Sequence, residues 1–208
     1  MAKRTNFNSI AVFYDNLCQL VFGQYVKTSQ IEALEFLQPN STILIVGGGT
    51  GWILDEISKI YPSGLTITYI DISSKMIQLS KKRNSALNTI EFLEAGIENV
   101  NLNAKQYDAI LTPFLFDAFA QSTANLVFEK LNESLKINGI WLYTDFYLSQ
   151  KSKYWKRLTI KLMYIFFRLT CKIEATKLPV IESYFSKYTV IKRNTYFSNF
   201  IIALVLKK

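Results

Sequence analysis

Five short runs rich in β-branched and aromatic residues recur along the first two thirds of the chain, and each is long enough for one β-strand. Such runs are typical of strands that are covered on both faces. They span residues 42–46, 65–70, 89–93, 108–112 and 140–144. Between them, apolar residues recur at helical spacing at Ile53, Ile57 and Ile60, at Met76 and Leu79, and at Phe128, Leu131 and Leu135. Alternating strands and helices predict a parallel sheet with right-handed crossovers, which is a doubly wound α/β domain.

The two ends of the chain depart from this alternation. Ser29-Gln-Ile-Glu32 has the form of a capping box, so residues 1–40 are predicted to form an N-terminal helical extension. At the other end, the strand-like runs 188–195 and 200–206 are separated by too few residues for a crossover helix and must pair antiparallel. The predicted fold is therefore a Rossmann-like α/β fold with a seven-stranded, mostly parallel sheet, an antiparallel C-terminal strand and helices on both faces.

Composition narrows the chemistry. The chain has 208 residues with 24 Lys and Arg, 16 Asp and Glu, and no His, and this length suits one domain of residues 1–208. The absence of histidine excludes Ser–His and Cys–His hydrolases, histidine-ligated metal sites and the commonest general base. Cys18 and Cys171 lie too far apart in sequence to suggest a metal cluster or a disulfide framework. We expect free thiols in a reducing compartment and no metal.

The formal net charge of +8 raises the question of a polyanionic partner. The basic residues are scattered, and no zinc knuckle or RNP-type aromatic motif accompanies them, which argues against a nucleic-acid partner. No signal-type segment is visible, and Lys161 and Arg168 divide the most apolar helical stretch, so no run reaches the roughly 20 apolar residues of a membrane span. We expect a cytoplasmic protein.

A glycine-rich segment follows the first predicted strand. Gly47, Gly49 and Gly51 have the pattern G-x-G-x-G, and Trp52 stands where a dinucleotide-binding loop needs another glycine. No Gly-Lys-Ser/Thr follows, which excludes a Walker phosphate loop. Asp71 ends the second strand, where this fold places an acid that accepts hydrogen bonds from ribose hydroxyls. The alternative is that Asp71 only caps the helix that begins near residue 73.

Together these segments resemble the ordered motifs of class I S-adenosylmethionine-dependent methyltransferases of the small-molecule type. The motifs are residues 46–51, 71–76, 93–95, 107–112 and 135–139. The resemblance covers residues 42–146 by motif and residues 188–208 by topology. It implies S-adenosyl-L-methionine as the cofactor. It also implies cofactor-binding roles for Tyr14, Gly47, Gly48, Gly49, Thr50, Gly51, Asp71, Ile72, Met76, Glu94, Ala95, Thr112 and Pro113. One position departs from the family, because Ile45 stands where a carboxylate usually helps to hold the cofactor's ammonium group.

Methyl transfer from a sulfonium needs alignment and a dry cavity more than a particular side chain. Where the acceptor must lose a proton, the candidate bases are Tyr14, Asp117 and Asp145, although Asp145 could instead cap the next segment and Asp117 could be solvated. The aromatic residues after the fourth and fifth strands suggest the substrate contacts. These candidates are Phe114, Phe116, Tyr147 and Trp155.

The segment 151–173 is predicted to be an inserted, lid-like helix. Its apolar residues Trp155, Leu158, Leu162, Ile165 and Leu169 have the spacing of one buried face, and its basic residues gather into one strip. Three roles are open: a helix packed on the sheet, a lid over an apolar substrate, or a helix at a membrane surface. The predicted function is methyl transfer to a small, apolar or aromatic molecule. The alternatives are a catalytically silent cofactor-binding protein and a membrane-surface interaction protein that uses this helix. Substrate identity and oligomeric state stay open.

Overall fold

The computed structural model of the protein describes residues 5–208, apart from the side chain of Glu182. The first four residues of the predicted N-terminal extension therefore lie outside the described residues. The strands are β1 (Thr42–Val46), β2 (Ser63–Asp71), β3 (Leu87–Glu94), β4 (Tyr107–Pro113), β5 (Leu135–Phe146), β6 (Thr189–Tyr196) and β7 (Ile201–Lys207). The α-helices are α1 (Tyr14–Phe22), α2 (Tyr25–Ile31), α3 (Trp52–Ile60), α4 (Ser74–Ser80), α5 (Gln121–Ser134) and α6 (Tyr154–Thr170).

The strands form one seven-stranded sheet in the order β3-β2-β1-β4-β5-β7-β6. The first five strands in this order pair in parallel, and β7 runs antiparallel to both of its neighbours. The predicted fold class is confirmed. The strand order reverses between β1 and β4, which makes the carboxyl ends of these two strands the topological switch point where open α/β sheets bind ligands.

The central strands β1, β2, β4, β5 and β7 are mostly buried on both faces, as their apolar runs predict. The edge strand β3 has no fully buried residue, so the predicted cover on both faces of residues 89–93 is wrong. On one face, Leu44 and Val46 pack with Trp141 and with helix α5. On the other face, Ile43 and Ile45 pack beneath helix α3 and the turn around Leu34. Strand β5 begins at Leu135, earlier than the predicted residue 140, because Leu135 pairs with Tyr107 of β4 ahead of a register shift.

The predicted capping box is wrong. Ser29 lies within α2, where its Oγ donates to the Val26 carbonyl oxygen at 3.1 Å. The helix has already begun at Tyr25, so no helix N-terminus is left for Ser29 to cap. Glu32 instead accepts hydrogen bonds from Asn194 and Tyr196 on β6. These contacts tie the N-terminal helices to the antiparallel edge of the sheet.

The predicted helix at 151–173 exists as α6, but the predicted buried face is wrong. Lys156, Ile160 and Tyr164 are the buried side chains of α6. Ile160 and Tyr164 belong to a third core, formed with Phe146 and Phe200, that lies between the helix and the end of the sheet. The stripe from Trp155 to Leu169 faces outward. In the part of the chain that the structure describes, no helix is both long and apolar enough to span a bilayer.

Candidate active site

The loop between β1 and α3 forms the floor of the candidate site. The Gly47 amide donates to the Ile70 carbonyl oxygen at 2.8 Å, which holds the loop at the carboxyl end of β2. A Cβ atom at Gly48 would lie 2.4 Å from the ring of Tyr69, whose hydroxyl donates to the Gly49 carbonyl oxygen at 3.0 Å. Gly49 has a φ of 62°, a left-handed conformation that favours glycine. The buried Tyr69 ring thus supports a loop that only glycine fits.

Asp71 lies beside this loop, at the end of β2. One carboxylate oxygen accepts from the Gly49 amide and the other from the Ser73 amide, both at 2.9 Å. Burial raises the pKa of Asp71 to about 6, against the partial compensation of these two bonds. The helix cap is a different residue, because the Ser73 hydroxyl accepts from the Met76 amide at the start of α4. Asp71 is therefore free to use its remaining lone pairs toward a ligand.

Arg83 braces the outer side of the glycine loop. Its Nε donates to the Thr50 carbonyl oxygen at 3.0 Å, and its guanidinium lies 3.3 Å from Asp55 and 3.6 Å from Asp15. The Thr50 hydroxyl in turn donates to Asp15 at 2.7 Å. This network holds the start of α1 against the loop, so Asp15 reaches the site from the N-terminal end of the chain.

Residues 5–15, here called the N-terminal strap, cross the open side of the site. The Asn8 side-chain oxygen accepts from the Ser73 hydroxyl at 2.6 Å and from the Lys75 amide at 3.1 Å. Its amide group donates to the Ser74 hydroxyl at 3.0 Å. The strap is supported from behind by Phe167 of α6, whose ring centroid lies 6.0 Å from that of Phe7. The strap thus joins α4 to α6 across the site.

These elements enclose a cavity of about 340 Å³, within the range of small-molecule and cofactor sites. The predicted residues that line it are Tyr14, Gly47, Gly48, Gly49, Thr50, Asp71, Ile72, Met76, Ala95, Pro113 and Phe114. Sequence reasoning missed Thr5, Phe7, Asp15, Val26, Gln30, Val46, Trp52, Ile70, Gly96, Ile97, Glu98, Asn99, Leu115, Ala118, Phe119 and Glu174. Some of these follow a strand directly and could have been found from that position. Asp15 adjoins the predicted Tyr14, whereas Thr5 and Phe7 of the strap, α2 and Glu174 come from distant sequence and carry no such signal.

Three predicted cofactor residues lie outside the cavity lining. A Cβ at Gly51 would lie 2.4 Å from the Cβ of Ser80, so this glycine permits close packing of α3 against α4. The Thr112 hydroxyl accepts from the Trp141 indole nitrogen at 2.9 Å and is fully buried. Glu94 is exposed at the end of β3, and the adjacent Ala95 lines the cavity in its place.

Three of the four predicted substrate contacts also lie outside the lining. Phe116 is buried in the core against Trp141. Tyr147 packs at the edge of the same core and lies under the guanidinium of Arg193. Trp155 contacts the rings of Phe197 and Phe200 on the far side of α6. Of the four, Phe114 alone contributes to the cavity wall.

The three candidate bases divide in the same way. Asp145 is buried behind the cavity and accepts from the Phe116 and Phe146 amides at 3.1 and 2.8 Å. Asp117 lies beside it, and burial together with the Asp145 charge raises the pKa of Asp117. Neither carboxylate lines the cavity. Tyr14 does, but the Cys18 sulfur beside it and burial raise its pKa well above the usual value, which keeps the phenol protonated near neutral pH.

The charged side chains that line the cavity are all acidic: Asp15, Asp71, Glu98 and Glu174. Within residues 5–208, no Lys or Arg lines it. Ile45 points to the opposite face of the sheet, where it is fully buried. A cationic ligand would therefore meet carboxylates in this cavity, and Asp15 supplies a negative charge that position 45 does not.

Comparison with known proteins agrees with this geometry. Residues 43–139 match the family model described as a methyltransferase domain. The chain is 32% identical over 107 residues to a malonyl-[acyl-carrier protein] O-methyltransferase of Halalkalibacterium halodurans, which covers 50% of this chain and 38% of that protein. It is 27% identical over 192 residues to a ubiquinone/menaquinone biosynthesis C-methyltransferase of Geotalea daltonii, covering 89% and 75% of the two chains. The chain spans about half or less of the malonyl-[acyl-carrier protein] relatives that it matches.

The methyltransferase domain matched by residues 43–139, the methyltransferase relatives and the shared fold support a class I S-adenosylmethionine-dependent methyltransferase. Solved structures share its fold. An S-adenosylmethionine-dependent methyltransferase from Aquifex aeolicus superposes with a TM-score of 0.60 at 17% identity, covering 96% of this chain and 97% of that one. A cyclopropane synthase from Mycobacterium tuberculosis superposes with a TM-score of 0.67 at 16% identity, covering 88% and 84%.

The residues of this methyltransferase domain fit the family's cofactor, S-adenosyl-L-methionine. Gly47, Gly48 and Gly49 bring the loop backbone to the cavity wall, and the carboxylate of Asp71 has lone pairs that could accept from ribose hydroxyls. Ile72 and Met76 offer apolar surface for an adenine, and the acidic lining suits a sulfonium and an ammonium group.

Proposed function

We propose that this protein transfers a methyl group from S-adenosylmethionine to a small, uncharged, apolar or aromatic acceptor. The single observation that carries the choice of acceptor is the charge of the cavity wall. Its charged residues are acidic, and within residues 5–208 no basic side chain faces it. An acceptor that carries a free carboxylate would be repelled there, whereas a neutral ring or enol would not.

The wall next to Pro113 is apolar and aromatic. Phe114, Leu115 and Phe119 follow β4, and Phe7 of the strap adds another ring. Phe114 has a φ of 48°, an uncommon conformation for a residue other than glycine. This bend carries the chain around the end of β4 and supports Phe114 as a substrate contact.

The residues of this chain would act by binding, orienting and excluding water. When bound, S-adenosylmethionine supplies a methyl group on a positively charged sulfur. Asp71 and the glycine loop would fix the nucleoside end, and the strap would close the cavity to water. Tyr14, held protonated, can donate a hydrogen bond but cannot accept a proton. We therefore infer that the proton released by the acceptor, from oxygen in O-methylation or from the ring in C-methylation, passes to a carboxylate of the cavity wall rather than to Tyr14.

The two curated relatives represent two acceptor chemistries. One is named for O-methylation of a malonyl-acyl carrier protein and the other for C-methylation in quinone biosynthesis. The acidic cavity favours the second chemistry for this chain. Among the predicted substrate contacts, Phe116, Tyr147 and Trp155 do not line the cavity and are not proposed again.

The proposal is tested in two stages. Isothermal titration calorimetry with S-adenosylhomocysteine measures cofactor binding. Release of S-adenosylhomocysteine is then measured with a panel of hydroquinones, phenols and a malonyl thioester. We expect turnover with a neutral aromatic acceptor and none with the malonyl thioester. Turnover of the malonyl thioester alone would overturn the choice of acceptor. Cofactor binding without turnover across the panel would favour the alternative, a catalytically silent cofactor-binding protein.

A further inference from the structure

Helix α6 has an outward face that is apolar along its whole length. Leu162 and Leu169 have 57% and 79% of their surface exposed. The other large apolar side chains exposed on this helix are Tyr154, Trp155, Leu158, Ile165 and Phe166. At 3.6 residues per turn, these seven side chains fall within an arc of about 120°, opposite the buried side chains Lys156, Ile160 and Tyr164. We call this arc the α6 outer face.

The outer face does not serve the cavity, because no residue of α6 lines it. The helix is nevertheless firmly placed. Lys156 is buried, and its ammonium group donates to the Ser198 carbonyl oxygen in the β6–β7 loop. The Tyr164 hydroxyl donates to the Asp117 carbonyl oxygen at 3.1 Å. The protein thus holds an apolar helix face toward solvent, and an exposed apolar surface of this size marks an interaction site.

A basic strip runs along one edge of the outer face. Arg157, Lys161 and Arg168 are exposed and fall within about 40° of one another on the helix circumference. No Asp or Glu occurs between Asp145 and Glu174. An apolar arc beside an uninterrupted basic strip is the pattern of helices that lie in the plane of a membrane surface.

Aromatic side chains link helix α1 to α6. Tyr14 at its start contacts Phe167 near the end of α6, while Phe22 at its end and Trp155 at the start of α6 both contact Phe197. The two helices therefore run antiparallel. Exposed apolar side chains of α1 and the residues just before it include Val12, Phe13, Leu20 and Val21.

We propose that the α6 outer face docks on an anionic lipid bilayer. Apolar side chains would enter the interfacial region, and Arg157, Lys161 and Arg168 would lie among the anionic head groups. Charge complementarity selects this occupant. A second copy of the chain docked through this same face would bring another basic strip against the first. This inference does not depend on methyl transfer, because it concerns a surface outside the cavity.

The test is flotation of the 208-residue chain with unilamellar vesicles. We compare phosphatidylcholine vesicles with vesicles in which a third of the lipid is phosphatidylglycerol. Wild-type protein should float with the anionic vesicles and much less with the neutral ones. Raising NaCl from about 50 mM to about 500 mM should reduce binding at least fivefold, because the salt screens the basic strip. Absence of binding to the anionic vesicles at low salt would overturn the proposal.

Two variants of the face separate its two components. The double variant Leu162→Gln, Leu169→Gln should lower the partition coefficient at least tenfold. The double variant Lys161→Gln, Arg168→Gln should lower it roughly fivefold for each charge removed and reduce the salt dependence. The matched control is Leu87→Gln, Leu126→Gln, which alters two equally exposed leucines elsewhere, at 83% and 72%. The control should bind as wild type does.

Each variant is checked by thermal melting and S-adenosylhomocysteine binding, which we expect to stay unchanged because all these side chains point to solvent. An equal loss of vesicle binding in Leu162→Gln, Leu169→Gln and in the control would contradict the proposal that the α6 outer face is the surface that binds lipid. Sedimentation equilibrium without lipid measures whether the chain forms a dimer. A dimer that is abolished by Leu162→Gln, Leu169→Gln would show that the face binds a second copy of the chain, and would overturn the lipid proposal.

Discussion

At the scale of single residues, the candidate site depends on side chains that hold the glycine loop in place and also determine what can bind beside it. Asp71 holds the Gly49 amide and keeps lone pairs for a ligand, while Tyr69 supports the same loop and leaves no room for a Cβ at Gly48. Asp71 and Tyr69 both contact the glycine loop because the loop passes directly over the end of β2. Local spacing therefore predicts this part of the site well, since Gly47, Gly49 and Asp71 come directly after strands.

Replacing Gly48 by Ala should damage the loop by overpacking. The new Cβ would lie 2.4 Å from the Tyr69 ring, which is fully buried and could move only by losing its bond to Gly49. We expect the free energy of unfolding to fall by about 1–3 kcal/mol and the Kd for S-adenosylhomocysteine to rise at least tenfold. Chemical denaturation and calorimetry measure the two effects.

The control for this variant is Gly23→Ala. Gly23, unlike Gly48, has a positive φ of 58°, and no atom lies within 4 Å of an added Cβ. With a ψ of −141°, it reports backbone strain without a clash, roughly 1–3 kcal/mol, at a position outside the cavity lining. If Gly48→Ala raised the Kd for S-adenosylhomocysteine no more than Gly23→Ala does, the close approach of Tyr69 would not be what excludes a side chain at position 48.

Cofactor affinity should depend on pH through Asp71. Its pKa of about 6 means that the carboxylate, which is the better acceptor for ribose hydroxyls, is lost as the pH falls below that value. We expect the Kd for S-adenosylhomocysteine to rise about tenfold between pH 7.5 and pH 5. Calorimetry at several pH values measures this. Asp71→Asn should bind weakly at every pH, and a variant that kept the wild-type pH dependence would assign it to another group.

At the scale of elements, the strands were predictable and the role of α6 was not. A run such as Thr42–Val46 predicts one structure, a strand buried on both faces, because its apolar residues point to both faces of the sheet and must be covered on both. Helix α6 has two apolar stripes, and spacing cannot tell which one meets the core. The buried Lys156 makes the choice still less visible in sequence, because its ammonium group finds a carbonyl oxygen that only the tertiary fold supplies.

The N-terminal strap is the element that closes the cavity, and Asn8 fastens it to α4 through Ser73, Ser74 and Lys75. Asn8→Ala removes these bonds, each contributing about 1 kcal/mol. We expect the dissociation rate of S-adenosylhomocysteine to rise at least fivefold and amide exchange in residues 5–15 to accelerate. Surface plasmon resonance and hydrogen exchange measure the two. Asn16→Ala, at an exposed position of α1, is the matched control. An unchanged dissociation rate in Asn8→Ala would mean that the strap does not retain the ligand.

At the scale of the whole molecule, the absence of histidine makes the pH dependence of stability unusually simple to interpret. Between about pH 4.5 and pH 7, the groups whose titration changes on folding are carboxyls with perturbed pKa values. Burial raises the pKa of Asp71 to about 6, and burial also raises the pKa values of the neighbouring Asp117 and Asp145. All three bind protons more tightly in the folded chain than in the unfolded chain, where a pKa near 3.9 is usual.

The tighter proton binding of the folded chain determines how its stability should change with pH. Because the folded state binds more protons than the unfolded state, the contribution of these three groups is fully present below about pH 4 and is lost as the pH rises through about 6 and above. The melting temperature of the ligand-free protein should therefore fall between pH 5 and pH 8. Asp145→Asn cannot ionise, so its deficit relative to wild type should shrink as the pH rises. Asp108→Asn is the control, because Lys136 helps to hold the pKa of Asp108 below its usual value. Asp108 is ionised at pH 5 and at pH 8, so this variant should lower the melting temperature equally at both. A wild-type melting temperature that rose over the same interval would show that the buried carboxyls are ionised in the folded chain, with positive charge close enough to offset their burial.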